Sequence, residues 1–285
     1  MIKPEWLRKR AERGGEALAV RALLRRTGLA TVCEEARCPN LGECFSKKTA
    51  TFMILGEKCS RNCGFCAVTP GKHLPSPDPA EPENVARAAA ELKLSHVVIT
   101  SVTRDDLEDG GAVHFAKTVE AVRDALPEAS IEVLTPDFLG KTEDINTVIV
   151  SAPDVYNHNM ETVPELYKKV RPAASYKRSL SLLELVKQTA PSMLTKSGIM
   201  LGLGETEEQV GRVMDDLANI GCDALTIGQY LRPALNALPV AEYVRPEVFE
   251  RLKDLGESKG IKHVFSGPYV RSSYHAGEVF KASIV

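Results

Sequence analysis

Apolar positions along the chain alternate between two rhythms, one of helices and one of strands. From Glu81 to Leu94, Val85, Ala88/Ala89 and Leu92 recur at helical spacing, and Pro82 sits near the start, where a helix tolerates it. His96-Val-Val-Ile-Thr-Ser-Val102 then reads as a buried strand, followed by a polar loop from Thr103 to Gly111. A helix from about Val113 to Leu126, a strand at Ile131-Glu-Val-Leu134, a helix near Asp144 and a strand at Asp154-Val-Tyr156 continue the alternation. Leu180 to Lys187 is a further helix. Ser197 to Glu205 is a strand running into a Gly-rich turn. Thr206-x-x-Gln209 then forms a capping box for a helix whose apolar face is Val210, Val213/Met214 and Leu217. A strand at Ala224-Leu-Thr-Ile227 and a helix from Pro246 to Gly256 complete the series. Strands spaced by helices of this length predict an α/β fold with a parallel sheet. In such sheets ligands bind at the carboxyl ends of strands, so the loops just after strands are the places to look.

Composition adds limits rather than a function. The chain has 285 residues, 44% hydrophobic content and a formal charge of −2. That is enough for a single α/β barrel, with no overall pull toward nucleic acid or membrane. No apolar run reaches the roughly 18 residues that a membrane-spanning helix needs, and no signal-peptide pattern is visible. Six of the seven cysteines fall between Cys33 and Cys66, which suits metal binding in a reducing, cytoplasmic compartment better than disulfides. Residues 1 to 26 carry eight Lys or Arg (Lys3, Arg8, Lys9, Arg10, Arg13, Arg21, Arg25 and Arg26) against Glu5, Glu12 and Glu16. This reads either as a solvated helical arm or as a docking surface for an acidic partner.

The cysteines form two runs. Cys59-Ser-Arg-Asn-Cys63-Gly-Phe-Cys66 has C-x3-C-x2-C spacing and follows the apolar run Thr51 to Leu55. Three thiolates in one compact loop can hold three corners of a four-iron cluster, leaving one iron open for a small molecule. A structural zinc site wants four ligands, often as two C-x2-C halves, and this run does not divide that way. Upstream, Cys33-x4-Cys38-x5-Cys44 would by itself equally make an incomplete zinc site. Placed just before the second run, it points to another cluster that lacks one ligand. A zinc-bound interaction module remains the reading from a different class, although no aromatic–basic surface or finger-like His/Cys pairing accompanies it.

The C-x3-C-x2-C loop, with Phe65 before its last cysteine, resembles the radical S-adenosylmethionine (SAM) superfamily. The resemblance implies a TIM-like partial (β/α)6 barrel whose open iron, in a [4Fe-4S] cluster on Cys59, Cys63 and Cys66, chelates the amino and carboxylate groups of SAM. Reduction of that cluster would cleave SAM to methionine and a 5′-deoxyadenosyl radical. Both runs in this order, with Lys3-Pro4-Glu5-Trp6-Leu7 and Arg271-Ser272-Ser273-Tyr274, resemble the lipoyl synthase family. That resemblance implies a second, auxiliary [4Fe-4S] cluster on Cys33, Cys38, Cys44 and Ser273, consumed as sulfur donor. The reaction implied is insertion of two sulfur atoms at C6 and C8 of an octanoyl-lysine. The implied partners are octanoylated lipoyl carrier domains (2-oxoacid dehydrogenase E2 and glycine cleavage H protein) and a ferredoxin- or flavodoxin-type reductant, with neither nucleic acid nor membrane. It also divides the chain into an N-terminal extension (1–50), a barrel (51–262) and a C-terminal extension (263–285). Biotin synthase, a rival within the superfamily, lacks the upstream run and relies on cysteines spread along the barrel, whereas this chain has only Cys222 after Cys66. Cys222 reads as a small buried hydrophobe.

Three loops supply candidate SAM contacts. In Thr103-Arg-Asp105-Asp106, Thr103 and Asp105 stand where the superfamily recognises the methionyl amino group, and Asp105 either accepts from that ammonium or caps a helix. The superfamily's GGE motif is absent, and Asp109-Gly110-Gly111 reads as a turn. Tyr156-Asn-His-Asn159-Met-Glu161-Thr162 clusters two amides, an imidazole and a carboxylate after a strand, and carboxylates recurrently bind ribose hydroxyls. Its similarity to biotin synthase assigns Asn159 and Glu161 to the SAM ribose. Arg171 either meets the SAM carboxylate through its fork or forms a surface salt bridge. Gly198-x-x-x-Gly202-x-x-Glu205 resembles the superfamily's GxIxGxxE pattern, which brings backbone near adenine. It is not a phosphate loop, because no Gly-Lys-Ser/Thr follows.

Overall fold

A computed structural model describes residues 3–8, 15–46, 50–274 and 276–283. Lys9, Arg10, Glu12 and Arg13 of the basic segment lie outside the described residues. The chain forms two compact units. An N-terminal unit holds the described residues up to 61, other than 3–8, together with 67–156; a C-terminal unit holds 3–8, 62–66 and the described residues from 157 onward.

In the N-terminal unit the strands Thr51–Ile54, His96–Ser101 and Ser130–Leu134 pair in parallel, in that order. Ile99 lies opposite Phe52 on one side and Val133 on the other. All three residues are fully buried, as expected for strands covered on both faces. The helices Glu81–Leu92 and Ala112–Ala125 carry the chain back between strands. The first buries Val85, Ala88 and Ala89 and stops at Lys93, which takes the left-handed conformation (φ 55°) typical of a helix end. The second starts after Gly111 (φ 91°), where a Cβ would collide with the Leu55 side chain. The basic N-terminal stretch is more than a solvated arm. Helix Gly15–Thr27 buries Ala17, Val20, Leu23 and Leu24, while Arg26 pairs with Glu91 on its exposed side.

In the C-terminal unit the strands Leu194–Leu201, Ala224–Gln229 and His263–Gly267 are parallel, again in sequence order. Helix Glu207–Asn219 opens with the expected capping box between Thr206 and Gln209 and buries Val210, Val213, Met214 and Leu217. Each such side chain contributes about 1.5–3 kcal/mol when fully buried. Two features depart from the sequence pattern. The helix expected at Leu180–Lys187 spans Tyr176–Thr189, because the Ser175 hydroxyl accepts from Arg178 N and starts it earlier. Strand His263–Gly267 was not anticipated, since only Val264 of its five residues is buried and no alternation marks it. Among the described residues no helix is long and apolar enough to cross a membrane.

Candidate active site

All seven cysteines lie among the described residues and none is in a disulfide. In the N-terminal unit, the Thr31 hydroxyl accepts from Glu34 N and caps the short helix Val32–Glu35, which carries Cys33. Arg37 then turns the chain in the left-handed region (φ 50°) and brings Cys38 N onto Cys33 O at 3.0 Å. Cys44 sits on a second short helix, Leu41–Ser46, with its N–H on Asn40 O at 2.9 Å. Burial pushes the Cys33 thiol up to about 11, against hydrogen bonds from Thr51 and with help from the neighbouring Cys38. A metal that binds there has to displace that proton.

Cys59 is held differently. Its Sγ accepts two backbone N–H groups, from Arg61 at 3.4 Å and from Thr103 at 3.3 Å. Ser60 ties the same segment down: its N–H and its hydroxyl both donate to Thr103 O, and the hydroxyl accepts from Asp105 N. Sulfur ringed by N–H donors is suited to carrying negative charge, which is what a cluster ligand must do. Thr103 therefore meets the cysteine through its backbone. Asp105 does not cap a helix; its carboxylate takes both arms of the Arg61 fork at 2.6 and 2.8 Å.

Cys63 and Cys66 belong to the C-terminal unit. Cys66 N donates to Cys63 O at 3.1 Å, and the loop is pinned by Gly64, whose N–H meets Val170 O while its carbonyl accepts from Leu238 N. A Cβ on Gly64 would lie 2.8 Å from Leu238 Cδ1 and 3.2 Å from Lys169 O, so any larger residue would displace the Leu238 side chain. Phe65 packs against the buried cluster of Val170, Leu203 and Tyr230. Among the described residues no three His, Cys, Asp or Glu side chains converge on a single metal ion. A multi-iron cluster asks for wider spacing, because each cysteine binds a different iron.

The loop after strand Val155–Asn157 forms one hydrogen-bonded group. Asn159 Nδ2 donates to Glu161 Oε1 at 3.0 Å and to Ser272 Oγ at 3.3 Å. Asn159 Oδ1 is buried with no hydrogen-bond partner among the described residues, which leaves an acceptor for a hydroxyl or amine of a bound nucleoside. Glu161 adopts φ 65° and bridges strand Leu194–Leu201, donating to Gly198 O and accepting from Met200 N. A left-handed non-glycine is worth about 1–3 kcal/mol of strain, and such strain clusters at ligand sites. Burial raises the Glu161 carboxyl above its usual range; Arg171, Asn159 and Arg271 oppose the shift. Arg171 is buried rather than on the surface, which removes the surface salt bridge as a reading. Its Nη1 donates to Asn159 O at 2.8 Å, and its guanidinium lies 5.6 Å from the Tyr167 ring centre. His158 and Asn157 turn inward, and His158 Nε2 meets Ser179 Oγ at 2.9 Å. The imidazole is thus part of the scaffold and not of the ligand cluster.

Backbone comes close to this group. A Cβ on Gly198 would lie 2.7 Å from Asn159 Oδ1 and 2.8 Å from Thr226 Oγ1. Glu205 is committed to the Gly-rich turn, where its carboxylate accepts the N–H groups of Gly202 and Leu203. Ser272 and Ser273 stand in a turn closed by Tyr274 N on Arg271 O at 3.0 Å. The Ser272 contact was not signalled by the sequence, where only its neighbour had a role. Cys222 is fully buried, as expected for a small apolar filler, and burial pushes its thiol up to about 12.

A family profile described as the Radical SAM superfamily matches residues 53–217. The chain is 58% identical over 274 residues to a lipoyl synthase of Caldanaerobacter subterraneus subsp. tengcongensis, covering 96% of this chain and 95% of that one. It is 56% identical over 279 residues to a lipoyl synthase of Alkaliphilus metalliredigens, covering 98% and 96%. Among solved structures it resembles methylornithine synthase PylB (TM-score 0.58, 15% identity, 90% of this chain and 84% of that one). It also resembles Streptococcus suis SuiB bound to S-adenosylmethionine (TM-score 0.59, 13% identity, 80% of this chain), of whose length the match spans about half, 53%. These structural likenesses bear on the fold alone, and they agree with the α/β, mostly parallel class expected from sequence.

Proposed function

Because the chain belongs to the radical SAM superfamily and, within it, to the lipoyl synthase family, we propose that it inserts sulfur at C6 and C8 of an octanoyl group carried on a lysine of a lipoyl carrier domain. The observation that carries this reading is the presence of both cysteine runs and the Arg-Ser-Ser-Tyr motif in a chain that lipoyl synthases match over 96% and 98% of its length. Cys59, Cys63 and Cys66 would hold a SAM-binding [4Fe-4S] cluster, and Cys33, Cys38, Cys44 and Ser273 an auxiliary one. When bound, these groups supply a hydrogen-abstracting 5′-deoxyadenosyl radical from SAM and the sulfur that is inserted.

The protein's own part is binding and orientation. Backbone N–H groups on Cys59 Sγ favour the thiolate. Asn159 and Glu161 offer an amide oxygen and a carboxylate to the ribose of SAM. Arg171 supports that pair from behind through Asn159 O, and its guanidinium would stand at the SAM carboxylate. Thr103 and Asp105, on the loop beside Cys59, would stand at the amino end of SAM, where Asp105, both of whose oxygens the Arg61 fork holds, would have only a secondary part. Ser273 is the weaker oxygen ligand, which suits a cluster that has to open. In this reading the functional divisions are the extension 1–50, the barrel 51–262 and the C-terminal segment 263–285. The carrier would be an E2 or H-type lipoyl domain, electrons would come from a ferredoxin or flavodoxin, and the reaction would run in the cytoplasm.

The test is iron and acid-labile sulfide per chain after anaerobic reconstitution, in wild type and in a Cys33→Ala/Cys38→Ala/Cys44→Ala variant. About eight irons falling to about four, with lipoyl formation on an octanoyl-lysine peptide lost, is the expected result. About four irons in both proteins would end the auxiliary-cluster reading and the sulfur insertion that depends on it.

A further inference from the structure

Arg61 has no role in any ligand set above, yet it is one of the most constrained side chains in the N-terminal unit. Its side chain is 4% exposed. Nε and Nη2 grip both oxygens of Asp105, and Nη2 also reaches Asp137 Oδ1 at 2.6 Å. Asp137 is fully buried, and its Oδ1 accepts in addition from Leu139 N at 3.2 Å. That bond fixes a left-handed stretch, Phe138-Leu139-Gly140 (φ 44°, 53° and 81°). The three connected segments follow three successive parallel strands, Thr51–Ile54, His96–Ser101 and Ser130–Leu134. One guanidinium therefore ties together three strand-end loops. The same residue's backbone N–H donates to Cys59 Sγ, and the second N–H on that sulfur comes from Thr103, two residues before the Asp105 that Arg61 holds.

A burial this complete needs a reason. A guanidinium and the Asp137 carboxylate out of water, with Asp105 partly exposed beside them, stabilise a fold poorly compared with apolar packing of equal volume, so ion groups of this kind are weak evidence of a stability role. An arginine also carries what a lysine cannot, a rigid fork that sets the angle between its two partners. What the fork orients here is the pair of N–H donors on one sulfur. Hydrogen bonds to ligand sulfur, local charge and solvent exposure are the protein's levers on the reduction potential of an iron–sulfur cluster.

We propose that Arg61, clamped between Asp105 and Asp137, is a positioning residue that aims the two N–H donors at Cys59 and raises the reduction potential of the cluster that Cys59 binds. The proposal rests on the reading of Cys59 as a cluster ligand. It assigns Asp105 first to this clamp. Loss of the guanidinium removes a positive charge and loosens both donors, so electrons enter the cluster less readily. Loss of one carboxylate charge with the fork still in place has the opposite sign.

The experiment is a redox titration of the anaerobically reconstituted full chain, following the part of the reduced-cluster EPR signal that changes on addition of SAM. Arg61→Met is expected to lower the ratio of reduced to oxidised cluster at a fixed poised potential at least tenfold, about 59 mV for one electron. Asp105→Asn, which keeps a hydrogen-bond acceptor for the fork, is expected to raise it. A purely structural role would not give opposite signs. Shifts in the same direction, or a ratio within about threefold of wild type in either variant, would overturn the proposal; if Arg61→Met does not retain iron, the sign in Asp105→Asn decides it alone. Wild type without any SAM-responsive signal would instead defeat the cluster reading itself, and the clamp with it.

Discussion

Replacing Glu161 by glutamine should separate binding from stability. In the folded chain this side chain is partly buried, and desolvation raises its pKa above the ordinary value despite Arg171, Asn159 and Arg271. An acid with a raised folded pKa opposes folding once pH passes its unfolded value of about 4.3, and stability falls as pH rises from there through the folded pKa. Glutamine escapes that penalty. It keeps the backbone bonds of residue 161 to Gly198 O and Met200 N and keeps an acceptor for Asn159 Nδ2. Arg171 still donates to Asn159 O and Met160 O. The variant should therefore lose less than about 1 kcal/mol, within about 4 °C in Tm for a chain of this size. Binding of SAM is another matter. A hydrogen bond to a charged acceptor is worth about 1.5–3 kcal/mol, so Kd should rise about 10- to 150-fold. Anaerobic calorimetry of SAM binding, with thermal melts of the same preparations, reads both quantities. In wild type the affinity should also fall as pH drops through the raised folded pKa of Glu161, and the glutamine variant should lack that dependence. A variant that melts much lower but binds SAM normally would show that the carboxylate is structural.

Two further substitutions probe parts of the fold that support the site. Asp223 is 1% exposed and accepts from Lys187 Nζ (2.6 Å), Lys262 Nζ (2.8 Å), Thr195 N and Thr195 Oγ1. Desolvation opposes its ionisation, yet these donors outweigh it and hold its pKa below the ordinary value. Since Lys187 is 23% and Lys262 is 67% exposed, solvent screens both pairs. Asp223→Asn should then cost about 1.5–3 kcal/mol at neutral pH, below the full cost of breaking a buried pair. The contribution of this lowered carboxyl is present above its unfolded pKa of about 3.9 and is lost as pH falls through the folded value, so wild type and variant should converge there in pH-dependent melts. Gly228→Ala places a methyl against Val270 O and 3.0 Å from Arg271 Nη1. About 1–3 kcal/mol of overpacking should fall on the turn that carries Ser272 and Ser273 and should be read as iron lost from the reconstituted protein.

Much of this was legible in the sequence because it depends on periodicity. Val85, Ala88 and Ala89 mark their helix, and Thr206 with Gln209 marks the start of another, since both signals lie within one turn of chain. Strand His263–Gly267 escaped for the converse reason. Its pairing with Ala224–Gln229 is supplied by the neighbour's backbone, which asks little of its own side chains. The start of helix Tyr176–Thr189 was missed because Ser175 is an isolated cap with no glutamate or glutamine three residues on.

The site shows where such reading stops. Asp105 and Glu161 look alike in sequence, each an acid in a loop that follows a strand. What separates them is the partner, and partners come from distant positions: Arg61 lies 44 residues from Asp105, and Ser272 lies 113 residues from the Asn159 that holds Glu161. Asp105 meets a guanidinium that takes both its oxygens. Glu161 meets one amide N–H in a partly buried setting that leaves it acceptor capacity. An acid whose charge is already matched can orient its neighbours but has little left for a ligand, whereas an undermatched buried acid gains most from hydroxyls brought by one. By that criterion Glu161 is the stronger ligand contact and Asp105 the stronger positioning group. The distinction rests on hydrogen-bond geometry, which residue type and spacing alone do not encode.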